Sequence, residues 1–180
     1  MPNWCVNELT IKGPIADVDA FVGTITEVDQ IYFDFNKFVE YPEEYKEMDK
    51  VAAKAREEWE ALPQDARPPY QSLPKDGYNS GGYGWCVRNW GTKWNVGRRI
   101  VERTAPKLKS EKLKCVKFAF DTAWSPPLPI VSALGDRFPT LTFTLQYWES
   151  GCGFSGKYVV NKSVCTEDTV NNAYRGRRGG

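Results

Sequence analysis

Apolar and polar residues alternate from residue 3 to 12, with Cys5, Asn7, Leu9 and Ile11 on one side and Trp4, Val6, Glu8 and Thr10 on the other. A period of two is that of a half-buried strand, and Gly13-Pro14 ends it. Ile15, Val18, Phe21, Val22 and Ile25 then recur at helical spacing, with Asp17 and Asp19 at the positive end of the predicted helix. Residues 31–36 read as a second strand.

The pattern then changes. Tyr45, Met48, Ala52, Ala55, Trp59 and Leu62 form one stripe of an amphipathic helix that Pro42 begins and Pro63 stops. Residues 63–84 are rich in Pro, Gly and Ser and read as a loop. Three tryptophans fall within 85–94, and a short basic helix is expected from Val96 to about Thr104. Alternation returns at 115–122, where Val116, Phe118, Phe120 and Thr122 share a face. Ser125-Pro126-Pro127 has the form of a helix cap with prolines in the first turn, followed by Ile130, Leu134 and Phe138 at helical spacing. Leu141, Phe143, Leu145 and Tyr147 mark a further strand, with Thr142, Thr144, Gln146 and Trp148 opposite. Gly151 and Gly153 turn the chain into a last strand through Tyr158 and Val160.

The order is β-α-β, insertion, β-α-β, then one strand more. That is the split β-α-β arrangement of an α+β, ferredoxin-like fold. It predicts an antiparallel sheet with two helices on one face, a long helical and loop insertion between strands two and three, and an added C-terminal strand. The expected organisation is a single domain over 1–165 with its insertion at 38–113, followed by a polar, disordered tail at 166–180.

Composition removes several kinds of chemistry. The chain of 180 residues has no histidine, hence no Ser-His or Cys-His nucleophile and no imidazole base or ligand. Cys5, Cys86, Cys115, Cys152 and Cys165 are scattered and odd in number, which fits neither a disulfide framework nor a zinc site. No catalytic residue, metal site or cofactor motif is predicted, and Gly81–Gly84 lacks the spacing of a phosphate loop. No run approaches the roughly 18 apolar residues of a membrane span, and the N-terminus lacks the features of a signal peptide, so a cytoplasmic protein without a membrane partner is expected. Net charge is +1 but uneven: residues 1–92 carry 9 basic and 16 acidic side chains, residues 93–180 carry 15 and 7. The basic stretch 93–117 either binds phosphate or is a solvated face.

Topology locates a candidate site. With the sheet order 4-1-3-2, the start of strand one lies beside the ends of strands three and four, where the second helix begins. Asn7, Thr122 and Glu149 are polar positions on otherwise apolar core faces at that edge, with Trp4, Trp124 and Ser125 next to them. The Trp-rich segment could close over it, bringing Arg88, Asn89, Trp90, Lys93 and Trp94. These eleven residues form either a pocket or a structural plug beneath the insertion. As a pocket it would stack a flat ring on tryptophan, read its edge with asparagine, and hold a phosphate or carboxylate with Lys93 and Arg88. Single-stranded nucleic acid is a weaker expectation, because the predicted open face lacks paired aromatics. An enzyme using Asp121 and Glu149 as an acid/base pair is weaker again.

Several strings resemble one family: Pro-Asn-Trp-Cys-Val-Asn at 2–7, Asp-Phe-Asn-Lys at 34–37, Asn-Trp-Gly-Thr-Lys-Trp at 89–94, Thr-Ala-Trp-Ser-Pro-Pro at 122–127 and Tyr-Trp-Glu-Ser-Gly at 147–151. They are similar to the YubB-like family of phage and plasmid proteins, small ferredoxin-like chains largely without an assigned activity. The resemblance covers most of 2–160, but not 43–84 or the tail. It implies the same fold, a mobile-element origin and a bacterial host cytoplasm. In that setting the expected function is a non-enzymatic binding protein for a small nucleotide-like or anionic ligand, sequestering a host-defence signal. The alternative partner is a host protein, inhibited through the helix at 43–62 and the loop after it. The oligomeric state is left open.

Overall fold

The computed structural model describes residues 3–27, 30–96, 100–106 and 108–172. The chain folds as an α+β, ferredoxin-like domain. Strand β1 (Trp4–Pro14) runs into helix α1 (Ile15–Ile25), then into the short strands β2 (Thr26–Glu27) and β3 (Gln30–Ile31). Helices α2 (Glu43–Ala61) and α3 (Tyr83–Asn89) belong to the insertion. Strands β4 (Val101–Arg103) and β5 (Leu113–Ala123), helix α4 (Leu128–Arg137), and strands β6 (Thr142–Glu149), β7 (Phe154–Asn161) and β8 (Val164–Asn171) complete the order. The main sheet is β4-β5-β1-β6-β7-β8, and every adjacent pair in it is antiparallel.

The period-two reading is realised on the central strands. Cys5, Asn7, Leu9 and Ile11 are buried, as are Val116, Phe118, Phe120 and Thr122 on β5 and Phe143, Leu145, Tyr147 and Glu149 on β6. Val18, Phe21 and Ile25 of α1 and Ile130, Val131 and Leu134 of α4 close this face. Phe21 meets Phe143 and Phe138 edge-on, each at 5.5 Å between ring centres. Such pairs add roughly 0.5–1.5 kcal/mol beyond the area they bury.

The strand expected at 31–36 forms only as Gln30–Ile31, paired with Thr26–Glu27 outside the main sheet. Asp34 is the reason. Its Oδ1 accepts from the Asn36 N–H at 2.9 Å and from Asn95 Nδ2 at 2.6 Å, which turns the chain into a 3-10 segment at Phe35–Lys37. Asn95 Oδ1 also accepts from the Phe35 N–H at 3.0 Å, a donor that a ladder would have needed. The edge position beside β5 goes to β4, three exposed residues within the stretch expected to be a basic helix. There the free ladder of β5 outweighs local propensity; residues 97–99 of that expected helix lie outside the described residues. The insertion therefore ends at the sheet edge by residue 101, not at 113.

Two further expectations change. Residues 166–171, assigned to a disordered tail, lie in β8, which pairs with β7 through a tight turn at Lys162 and Ser163, both at positive φ. Residues 173–180 lie outside the described residues. Ser125 does not cap α4: the helix begins at Leu128 after Pro127, and the Ser125 hydroxyl donates to the Gly91 carbonyl at 2.6 Å.

Helix α2 forms where its stripe predicts, yet only Ala52 of it is buried. The chain folds back along it through short turns at Gln64–Ala66 and Tyr70–Ser72. Arg67 donates to the carbonyls of Glu60 and Leu62 at 2.8 and 3.0 Å, satisfying last-turn acceptors, while its guanidinium lies 4.8 Å over the Trp59 ring.

Candidate functional site

Eight of the eleven predicted residues belong to the sheet end where topology locates them. Asn7 is fully buried and its Nδ2 donates to Thr122 Oγ1 at 2.8 Å and to the carbonyls of Cys5 and Phe120 at 2.9 and 3.3 Å. The Thr122 hydroxyl in turn donates to the Ser125 carbonyl at 2.7 Å. Thr92 Oγ1 reaches the Ala123 carbonyl at 2.8 Å, joining the returning insertion to β5. Glu149 is buried, and its carboxylate accepts from the backbone N–H groups of Gly151 and Cys152 in the turn after β6. Beside it, burial and then the Glu149 charge push the Cys5 thiol up to about 12. This network uses its polar atoms on backbone and on itself; Asn7 Oδ1 alone lacks a hydrogen-bond partner among them. Its chemistry is that of a latch between sheet and insertion.

Outside the latch lies an exposed aromatic edge. Trp4 and Trp124 are 47% and 43% exposed, and Trp4 packs edge-on against Trp94 at 6.4 Å. Lys93 Nζ lies 4.9 Å over the Trp94 ring, and its main-chain N–H donates to the Ala123 carbonyl. Trp124 sits at a φ of 73°, its N–H held by the Asn3 carbonyl at 2.9 Å.

The other three residues leave the edge. Trp90 is 4% exposed, donates through Nε1 to the Val39 carbonyl at 2.8 Å, and packs against Phe35, Tyr41 and Trp85. It plugs the base of the insertion and offers no ring face to a ligand. Asn89 spends its amide on the Trp85 carbonyl one helical turn back. Arg88 stays exposed on α3, with Nη1 3.3 Å from where a Cβ on Gly84 would lie. Asp121 and Glu149 do not form an acid/base pair: β5 exposes Asp121 and β6 buries Glu149.

A cleft of about 380 Å³ opens next to this edge, lined by Tyr78, Asn79, Gly81, Tyr83, Gly84 and Lys93. Tyr78 and Tyr83 meet edge-on at 5.7 Å, presenting ring surface beside an amide and an ammonium. Gly81 is required at its φ of 129°, and a Cβ there would also come within 2.8 Å of the Tyr45 hydroxyl. Burial, then the neighbouring Cys86, push the Tyr78 phenol up to about 12, and its buried oxygen has no partner among the described residues. Lys93 forms no ion pair among them. Of the predicted site residues, Lys93 alone lines this cleft. Tyr78, Asn79 and Tyr83 were missed because Tyr-Asn-Ser-Gly-Gly-Tyr-Gly reads as a loop; two tyrosines flanking a Gly-Gly hinge were the available signal.

Two cations of the open sheet face are paired. Lys117 bonds Glu8 and Lys157 bonds Glu167, each at 2.6 Å, so these cations already have carboxylates. No helix among the described residues is long and apolar enough to cross a membrane.

No curated protein matches the chain in sequence. The crystal structure of protein api92 from Yersinia pseudotuberculosis superimposes with a TM-score of 0.54 at 12% identity, covering 94% of this chain and 98% of that one. At that identity the likeness is one of fold. Residues 89–175, which run from the end of α3 through β8, match the family model of the ferredoxin-like domain in Api92-like protein, and that is the family this chain is similar to.

Proposed function

We propose that the protein is a non-enzymatic binding protein whose cleft at Tyr78, Tyr83 and Lys93 holds a small, planar, anionic ligand of nucleotide type. The observation that carries this is an ammonium without a carboxylate partner among the described residues, at a cleft walled by two tyrosines. Aromatic faces stack on a flat ring, the Asn79 side chain offers edge contacts, and Lys93, with Arg88 close to Gly84, attracts the phosphate. A volume of about 380 Å³ lies at the lower end of ligand sites, roughly 300–1,000 Å³, which fits one nucleotide unit. In the mobile-element setting that the YubB-like strings imply, holding such a molecule without altering it would sequester a host-defence signal.

Titration calorimetry with a panel of nucleoside monophosphates tests the reading, together with native mass spectrometry of protein fresh from cells. Binding is expected, and Lys93→Ala or Tyr83→Ala should weaken it at least about tenfold, a loss of about 1.4 kcal/mol. Tyr83 is 48% exposed, so its replacement should leave the melting temperature nearly unchanged. A panel that produces no heat, with no small molecule on the purified protein, overturns the proposal. A second reading, inhibition of a host protein through α2, has one observation behind it: Met48, Val51 and Leu62 are 37%, 57% and 41% exposed on or just after one helix.

A further inference from the structure

The first cleft has a neighbour. A second cleft, of about 340 Å³, lies between α2 and the chain that folds back along it, and its lining includes Arg56, Tyr70, Lys75, Asp76 and Asn79. Asn79 lines both, so the two clefts share a wall. They also share a chemistry. Each combines a tyrosine ring with cations that form no ion pair among the described residues: Lys93 in one, Arg56 and Lys75 in the other.

Elsewhere on α2 the lysines are paired. Lys46 meets Glu40 and Glu43, Lys50 meets Glu43 and Glu47, and Lys54 meets Glu58. Arg56 differs: its guanidinium lies 5.8 Å over the Tyr70 ring. The acid in this cleft is Asp76, whose two oxygens accept from the Asn79 N–H at 2.7 Å and Asn79 Nδ2 at 3.0 Å. That carboxylate holds the shared wall in shape and is already engaged.

We infer that the ligand is a dinucleotide, with one nucleotide unit in each cleft and its linkage crossing at Asn79. One base stacks at Tyr78 and Tyr83 and the other at Tyr70, while Lys93 on one side and Arg56 with Lys75 on the other take the phosphates. Either cleft alone is the size of a single unit, and together they make an elongated site. Joining two weakly held units makes the second binding event intramolecular, which raises affinity without any new contact. The inference rests on the proposed function, since it assumes that the first cleft binds a nucleotide.

The test compares adenosine monophosphate with the linear dinucleotide pApA on the full chain and on the double variant Arg56→Gln/Lys75→Gln. Both positions are exposed, so folding should be unaffected, which melting curves verify. On the unmodified chain pApA is expected to bind at least tenfold more tightly than the monophosphate. The double variant should lose that advantage, and its monophosphate binding should fall from two sites to one, the remaining site at Lys93 keeping its affinity within twofold. Equal affinity for the two ligands, or a variant that binds pApA as tightly as the unmodified chain, overturns the dinucleotide inference and leaves the single-nucleotide reading standing. Failure of both ligands to bind overturns both.

Discussion

The sheet and the insertion use the same kinds of residue for opposite ends. On β1, β5 and β6 nearly every second residue is buried, and the polar ones among them, Asn7, Thr122 and Glu149, bond to backbone or to each other. Across the 19 residues of α2 only Ala52 is buried, and the rings of Tyr70 and Tyr83 remain about half exposed. Buried apolar area holds a fold together, and exposed aromatics beside unpaired cations are available to a ligand. The sheet thus carries most of the buried core and the insertion presents the exposed aromatics on which the proposed binding rests, the two joined where Thr92 and Lys93 bond to β5.

The largest effect that can test this division is in the sheet. Phe143→Ala empties a fully buried site in contact with Phe21 and Phe138, and should lower stability by about 3–5 kcal/mol in a denaturant titration. A loss below about 1 kcal/mol would mean that this face is not the core. A smaller, local effect is expected from Gly77→Ala, since a Cβ there collides with the backbone of Tyr45 on α2. Overpacking of this kind costs about 1–3 kcal/mol. The variant should loosen 77–84 to limited proteolysis and abolish nucleotide binding, with amide exchange of β1 unchanged. Protection lost from β1 as well would make sheet and insertion one cooperative unit.

The smallest effect, about 1 kcal/mol for each over the first pH unit above 9, concerns the buried thiols. Burial pushes Cys5 of β1 up to about 12 and Cys86 of α3 up to about 11, against 9.0 for a free thiol. Both folded values lie above the unfolded one. Their contribution is thus intact below pH 9 and is lost as pH rises from there through the folded values, by about 1 kcal/mol per pH unit for each thiol. The thiols' share of stability should be flat up to about pH 9 and fall above it. Timed alkylation under native conditions sharpens the point: exposed Cys152 and Cys165 should label first, half-buried Cys115 next, then Cys86, and Cys5 last. Equal rates at Cys86 and Cys5 would erase the difference between the regions.

What was legible in the sequence follows the same division. Helices α1, α2 and α4 and the central strands carry strong periods, because each buries one face or presents one stripe. β4 and β8 carry almost none: their side chains are nearly all exposed and they are held mainly by backbone pairing, which leaves little mark on residue type. The strand expected at 31–36 was lost to Asp34, whose partner Asn95 is distant in sequence. Thr122 and Glu149 were rightly located at one edge with Asn7, but alternation cannot tell a pocket floor from a satisfied latch. Trp90 poses the same ambiguity, since an indole serves equally as plug and as stacking surface. The clefts depend on how 62–84 folds back along α2, a tertiary fact with no periodic signature.

The position of β1 has one more consequence. It is the first strand in the chain and lies in the middle of the sheet, and Asn7 finds its β5 partner Phe120 only 113 residues later. Nothing can close the sheet until β5 exists, so folding waits on a long-range pairing and is slow for the size of the domain. Closure of a loop already so long is insensitive to its length, each doubling adding only about 0.6 kcal/mol. The stretch 62–73, which has no buried side chain, can therefore be lengthened or shortened at little thermodynamic penalty, whereas Phe35, Trp90 and Thr92 on either side of it are buried and cannot be exchanged so freely. The architecture leaves that exposed stretch free to change in length while the sheet stays as it is.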